Sequence, residues 1–284
     1  MLRIQLQRMP ELPEVEVTRR ILESEIREKQ VAEVSVNHPR VVRRQKHPTD
    51  FSDRLQERTV QSLRRHGKFL IIELDAGLNW VTHLGMSGRI QMVDNDQPEE
   101  THTRTVVRFV GGRELRFVDP RTFGFMTVWT EAELASSTLN RLGPDALTDL
   151  PSVREFVGYL RGRTALIKPL LLNQSVVAGV GNIYADESLH LCRVSPLRPG
   201  GSLAADEVNR LRIAIRTTLI AAIQQGGTSL EDLAYLLPDG KTGDFLDRLR
   251  VYGREGQGCC HCGFAIRRTV IRSRSSFWCP GCQA

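Results

Sequence analysis

Two stretches of this 284-residue chain carry residue types whose spacing could do chemistry. The first is Met9-Pro10-Glu11-Leu12-Pro13-Glu14-Val15-Glu16. Removal of the methionine ahead of Pro10 would leave a free secondary amine, able to attack an electrophilic carbon and form an iminium, as lysines do in Schiff-base enzymes. A free α-amino group titrates at about 7.7–8.0 and a lysine at about 10.4, so far more of the former is unprotonated at neutral pH. The same residues also read as a helix cap without chemistry. Pro13 suits the first helical position, and Glu14 and Glu16 sit in the first turn, where carboxylates meet the positive end of the helix dipole. The second stretch is the tail, where Cys259-x₂-Cys262 and Cys279-x₂-Cys282 are separated by 16 residues. Four thiolates at that spacing suit a tetrahedral Zn²⁺ with no open position, hence a structural metal. Cys260 and His261 lie inside the first knuckle and could compete as ligands, though the x₂ spacing favours Cys259.

A weaker signal is Gly179-Val180-Gly181-Asn182 ahead of a helical segment. Backbone N–H groups there could approach a phosphate, and Asn182 could cap the helix or contact one. Gly-x-Gly is also a common tight turn.

The elements that must hold these residues follow from periodicity. Val17, Ile21 and Ile26, with charges between them, predict a helix through about Lys29. Val31 to Asn37 alternates as a half-buried strand does. Val60 to Leu74 reads as a strand, a bend at Gly67 and a second strand, which puts Lys68 beside the bend. VVRFV-GG-RELRFV predicts a hairpin with a type I′ or II′ turn at Gly111-Gly112. So many short strands predict a sandwich with flanking helices. A breaker cluster at Leu142-Gly143-Pro144-Asp145 opens a linker, and the periodicity beyond it is helical. SVREFVGYL predicts one helix and Lys168 to Asn173 another. A long helix capped by Ser202 follows, with Val208, Leu211, Ile215, Leu219 and Ile223 on one face and a stop at Gly226-Gly227.

Composition sets the bounds. Apolar content of 40% and charged content of 25% describe a globular chain without an apolar run of membrane-spanning length. Met1 to Arg8 lack the apolar core of a secretion signal, so a cytoplasmic protein is expected. Net charge is +6, and +5 of it falls in residues 250–284, where six arginines face Glu255 alone. That bias points to a polyanionic partner. Five of the six cysteines lie in the last 26 residues, which favours a metal site over a disulfide framework.

Taken in order, PELPEVE at 10–16, HGKFL at 66–70, THLGMSG at 82–88, DPRTFG at 119–124, GVGNIYADESL at 179–189 and RSRSSFWCPGC at the ribbon closely resemble bacterial formamidopyrimidine-DNA glycosylase. The resemblance runs from Met9 to Cys282. It implies an α+β fold: an N-terminal catalytic β-sandwich domain with flanking helices (10–142), a linker (143–152), a helix-two-turn-helix DNA-binding domain (153–249) and a four-cysteine zinc ribbon (250–284). It further implies excision of oxidised purines such as 8-oxoguanine and formamidopyrimidines from damaged double-stranded DNA, then nicking of the strand by β,δ-elimination, by a monomer with no membrane partner. By the same resemblance Pro10 is the nucleophile at the sugar C1′ and Glu11 the acid that assists sugar opening. Lys68 serves β-elimination and phosphate contact, and Arg274 δ-elimination. Met86, Arg121 and Phe123 fill the hole left by the flipped base. His102, Arg121 and Arg163 contact DNA, and Lys168 and Asn182 contact phosphates.

Two departures qualify the resemblance. Residues 1–9 precede Pro10 and block its amine, so the expected active form begins at Pro10, these residues being an extension or a mis-assigned start. Glu231 stands where the family commonly has Lys or Arg, in a loop near the damaged base. Two rival readings stay open. One is an endonuclease VIII-like enzyme for oxidised pyrimidines, against which Leu12 and the Met86/Arg121/Phe123 set argue. The other is a non-catalytic nucleic-acid-binding ribbon protein, should Pro10 remain blocked.

Overall fold

The computed structural model describes residues 9–228 and 236–284, so the expectations for Met1 to Arg8 and for Glu231 fall outside the described residues. Contacts divide the chain into two compact units: Arg8–Arg141 with Gln225–Leu246, and Leu142–Gln224 with Asp247–Ala284. Among the described residues no helix is long and apolar enough to cross a membrane.

The first unit opens with α1 (Leu12–Ile26), which buries Leu12, Val15, Leu22 and Ile26. It stops three residues short of the expected end, because Arg27 turns to ψ 136° and Glu28 takes a left-handed φ of 63°. Then come β1 (Val31–Val36), α2 (Pro48–Leu55), β2 (Val60–His66), β3 (Phe69–Leu74), β4 (Leu78–His83), β5 (Arg89–Asp94), β6 (Thr103–Phe109), β7 (Arg113–Val118), β8 (Phe125–Thr130) and α3 (Glu131–Ser136). Alternating apolar residues dictate two antiparallel four-stranded sheets, ordered β1-β6-β7-β5 and β2-β3-β4-β8. Trp80, Ile71, Leu115 and Phe117 are among their fully buried side chains. The Gly111-Gly112 turn is present, at φ 106° and 85°, but Val110 joins it in the loop, its N–H donating to the Gln30 carbonyl at 2.9 Å. Residues 225–228 and 236–246 rejoin this unit, Met92 N–H donating to Pro238 O at 2.9 Å.

The second unit holds α4 (Val153–Leu160), α5 (Ile167–Leu172), α6 (Asn182–Leu191), α7 (Ala205–Gln224) and a hairpin of β9 (Arg267–Ile271) and β10 (Arg274–Trp278). Ser152 caps α4, with Glu155 closing a capping box. The start expected for α7 at Ser202 lies instead at Ala205, and Glu207 accepts the Ala204 N–H at 2.9 Å. Ser202 closes a 3₁₀ turn ahead of it.

Candidate functional site

Pro10 is buried just ahead of α1, and Glu11, 2% exposed, is the residue that caps it. Glu14, read from sequence as an ordinary first-turn acid, is also buried. One of its oxygens accepts the Glu11 N–H at 2.8 Å and the other the Thr228 N–H at 2.8 Å. A side chain at Gly227 would stand 2.9 Å from that carboxylate, and the φ of 82° there favours glycine. Helix α1 packs on β2 and β3, whose two-residue hairpin turn, Gly67-Lys68, carries the expected lysine. Lys68 is 8% exposed. Beside it His83 is half-buried and neutral. Burial, and then the charges of Lys68, Arg43 and Arg44, hold its pKa down to about 4. Its Nδ1 accepts the Gly85 N–H at 3.0 Å, which fixes its tautomer, and its ring stacks on Phe125.

The loops bearing Met86, Arg121 and Phe123 are brought together by a close approach of backbones. A Cβ on Gly85 would lie 2.4 Å from the Gly124 nitrogen, so only glycine permits this crossing. Asp119, fully buried, braces both loops. Its Oδ1 accepts from Ser87 Oγ at 2.5 Å and from the Arg121 N–H at 3.2 Å, and its Oδ2 from the Gly124 N–H at 2.8 Å. Arg43 donates to the carbonyls of Gly124 at 2.6 Å and Phe123 at 2.9 Å. On this frame the exposed Arg121 guanidinium lies 4.9 Å from the centre of the exposed Phe123 ring, and Met86 stands half-exposed. His102 joins the same loop, its carbonyl accepting the Asp119 N–H at 3.1 Å. Sequence reasoning passed over Asp119, Arg43 and His83, although two of them lie inside the motifs DPRTFG and THLGMSG.

In the second unit the residues divide. Arg274 is exposed at the hairpin tip, where Arg272 and Ser273 both take left-handed φ in a two-residue turn. With Arg272, Lys168 and Asn173 it lines a cavity of about 170 Å³. Asn182 Nδ2 donates to the Ser275 carbonyl at 3.1 Å, beside Arg274. Arg163 is exposed ahead of α5, apart from this cavity's lining. Lys168 requires a correction. It is 0% exposed, and its ammonium is engaged by Asp186 at 2.7 Å, Ser275 O at 2.9 Å and Ser276 Oγ at 2.8 Å. An ammonium has three donors, so none is left for a phosphate; this lysine braces β10 instead. Burial pushes the Asp186 carboxyl up to about 7, against the pull of Lys168.

The sulfurs of Cys259, Cys262, Cys279 and Cys282 all lie within 4.8 Å of one another. Tetrahedral Zn²⁺ with bonds of about 2.3 Å sets its thiolates roughly 3.8 Å apart, and Cys259–Cys282 stands at 3.8 Å. The donor set fits the metal. Cys260 is exposed and outside this cluster, and His261 faces Arg193 at 2.6 Å, which resolves the question of competing ligands. Burial alone would raise the Cys259 thiol, but the N–H groups of His261 and Cys262 and the His190 ring bring it down to about 5.

Comparison with known proteins adds to this geometry. The family model described as formamidopyrimidine-DNA glycosylase N-terminal domain matches residues 9–126, and that of the H2TH domain of the same enzyme matches residues 142–233. Over 277 residues the chain is 44% identical to the formamidopyrimidine-DNA glycosylase of Salinispora tropica, covering 97% of this chain and 96% of that protein. Among solved structures, Lactococcus lactis Fpg bound to an abasic-site-containing DNA superposes with a TM-score of 0.89 at 32% identity, covering 96% of this chain and 99% of that one. The wild-type protein from the same organism, in complex with an oxidised-pyrimidine-containing DNA, gives 0.88 at 33% identity, with the same coverage.

Proposed function

We propose, since the chain belongs to the formamidopyrimidine-DNA glycosylase family and is a DNA glycosylase acting on damaged DNA, that it excises oxidised purines, 8-oxoguanine and formamidopyrimidines, from duplex DNA and then cuts the abasic strand. The observation that carries this reading is the burial of Pro10, Glu11 and Lys68 on elements packed against one another, α1 on β2 and β3, although Glu11 and Lys68 are 57 positions apart in the sequence.

In the proposed reaction the Pro10 nitrogen attacks C1′ of the damaged nucleotide. The glycosidic bond breaks, and its electron pair leaves with the base, which takes up a proton. Glu11 protonates the ring oxygen as the sugar opens. A secondary amine bonded to C1′ can shed no further proton from nitrogen, so the product is a cationic iminium that acidifies the C2′ proton. Loss of that proton expels the 3′ phosphate. Lys68 holds phosphate during base excision as well as at this step, and Arg274 assists the second elimination, which expels the 5′ phosphate. Met86, Arg121 and Phe123 occupy the space of the extruded base, while His102, Arg163 and Asn182 hold the backbone. Cys259, Cys262, Cys279 and Cys282 would hold one structural Zn²⁺, which cross-links the ribbon and supplies no reaction step. The enzyme is further assigned to the DNA of the bacterial cytoplasm, as a monomer.

Because an amide nitrogen has its lone pair delocalised into the carbonyl, the mechanism needs Pro10 as the first residue of the active form. Borohydride trapping on an 8-oxoguanine duplex, followed by N-terminal analysis of the trapped protein, tests this. A covalent adduct through Pro10 is expected. Full excision by protein whose Pro10 is still in peptide linkage would refute the mechanism. The Lactococcus lactis complex with an oxidised-pyrimidine DNA makes a thymine-glycol duplex the second arm, where slower release is expected.

A further inference from the structure

Arg65 of β2 is a charged residue that the proposed chemistry does not use, yet its side chain is 2% exposed. Its Nε donates to Glu16 Oε2 on α1 at 3.1 Å, and its Nη1 donates to the Gly67 carbonyl at 2.9 Å. One planar guanidinium therefore touches both the helix that begins after Pro10 and Glu11 and the turn that carries Lys68. We propose that Arg65, seated on Glu16, is a positioning residue that sets Lys68 relative to the start of α1. This inference rests on the role proposed above for Lys68.

Which carbonyl Arg65 holds is decisive. Gly67-Lys68 is a two-residue hairpin turn, since His66 pairs with Phe69. Gly67 has φ 57°, and Lys68 is not among the residues of positive φ. That combination is a type II′ turn with glycine first. The Gly67 carbonyl belongs to the central peptide of such a turn, whose rotation by half a turn gives type I′. Type I′ demands positive φ at both central residues, which a lysine adopts only at a cost. Rotation would also carry Lys68 out of its present direction. A guanidinium on that carbonyl therefore selects one orientation of Lys68.

Glu16 gives Arg65 a fixed seat. Its carboxylate, 9% exposed, also accepts from Arg20 Nε at 2.8 Å and from Arg19 at 3.1 and 3.2 Å. Burial would raise its pKa, but hydrogen bonds from Arg19 and Arg20 and the charge of Arg65 bring it below the usual carboxylate value. Since Arg19 and Arg20 keep Glu16 paired when Arg65 is replaced, loss of the guanidinium falls on the turn rather than on an orphaned charge. A lysine at 65 keeps the charge but lacks the fork that spans Glu16 and Gly67.

The test compares Arg65→Lys, Arg65→Gln, Glu16→Gln and Lys68→Ala in the full chain. Single-turnover excision of 8-oxoguanine should fall about 10- to 100-fold in the Arg65 variants, as misplacement of a reacting group by roughly 1 Å does. Borohydride trapping at a preformed abasic site should stay near the parent level. The double variant Arg65→Lys/Lys68→Ala should be no slower than Lys68→Ala alone, because the two act as one unit. Parent-like excision in Arg65→Lys, or losses that add in the double variant, would overturn the proposal. Should Arg65→Gln fail to fold, Arg65→Lys and Glu16→Gln carry the comparison. Should Lys68→Ala itself excise at the parent rate, the role of Lys68 is what has failed. NMR then decides for Arg65: shifted Gly67 carbonyl and Lys68 amide signals in Arg65→Lys support its hold on the turn, and unchanged signals sink it.

Discussion

Replacing Asp119 by asparagine exchanges one carboxylate oxygen for an amide in a place where every contact is a donor. Ser87 Oγ–H and the Arg121 N–H point at one oxygen, the Gly124 N–H at the other, and the residue is fully buried. The better of the two amide orientations keeps Ser87 and Arg121 on the remaining oxygen and sets NH₂ against the Gly124 N–H. A hydrogen bond to a charged acceptor contributes about 1.5–3 kcal/mol and a neutral one about half of that. One bond is lost and two are halved, while the cost of burying a charge is relieved, so the net loss is about 2–4 kcal/mol. For a unit of this size that lowers Tm by roughly 5–15 °C. The functional effect should exceed the thermal one, because Arg121 and Phe123 ride on this loop. Discrimination between 8-oxoguanine opposite cytosine and opposite adenine should narrow if, as proposed, the Arg121 guanidinium meets the orphan base, since it then loses its frame. Circular dichroism melting and single-turnover excision on the two duplexes read both effects. A Tm within about 2 °C of the parent, together with unchanged excision on both duplexes, would refute the claim that this carboxylate organises the loops.

Cys279→Ser should release bound zinc and abolish DNA binding while the first unit still melts cooperatively, because structural zinc supplies roughly 10–16 kcal/mol in zinc-finger peptides; metal analysis and a binding titration check it. Arg163→Ala should lower the slope of log affinity against log salt by about one, whereas Lys168→Met should leave the slope alone and cost about 3–5 kcal/mol of stability by stranding Asp186. The reverse pattern would restore Lys168 as a phosphate contact. His83 has its folded pKa lowered to about 4 from 6.5, so the native state binds fewer protons than the unfolded chain. Stability is therefore complete above pH 6.5 and falls on acidification toward pH 4, by about 2 kcal/mol at pH 5. His83→Gln should flatten that dependence in urea melts, and a slope unchanged by the substitution would assign it to another group.

What the sequence disclosed depended on whether chemistry left a local trace. The four-cysteine cluster and the bend at Gly67 are legible because ligand spacing and glycine placement are properties of neighbouring residues. The Lys168 reading failed because nothing local distinguishes a lysine facing a phosphate from one saturated by Asp186, Ser275 and Ser276, partners 18 and about 107 residues away. The return of residues 225–228 and 236–246 to the first unit is illegible for the same reason. It depends on single bonds, Thr228 to Glu14 and Met92 to Pro238, that no periodicity records. Asp119 and His83 were in plain view inside recognised motifs and were passed over, since those motifs drew attention to the residues that would face DNA and not to those that brace them.

Helix α6 shows how far a pattern can mislead about a face. Asn182, Asp186 and His190 recur every four residues, a polar stripe that by the usual rule faces solvent. Asp186 and His190 are instead buried, and all three aim at the ribbon: Asn182 at the Ser275 carbonyl, Asp186 at the Phe277 N–H at 2.9 Å, His190 at Cys259 Sγ at 3.4 Å. Glu187 adds the N–H groups of Arg250, Val251 and Tyr252, at 2.9–3.0 Å. The ribbon buries Val251, Tyr252 and Phe277, but apolar burial is not all that docks it. It is fastened by charge-assisted bonds to its backbone, which is why its helical platform needs acids where an ordinary helix would bury leucines. The hairpin tip carrying Arg274 is therefore positioned from two sides, by the four cysteines within the ribbon and by α6 with Lys168 beneath it.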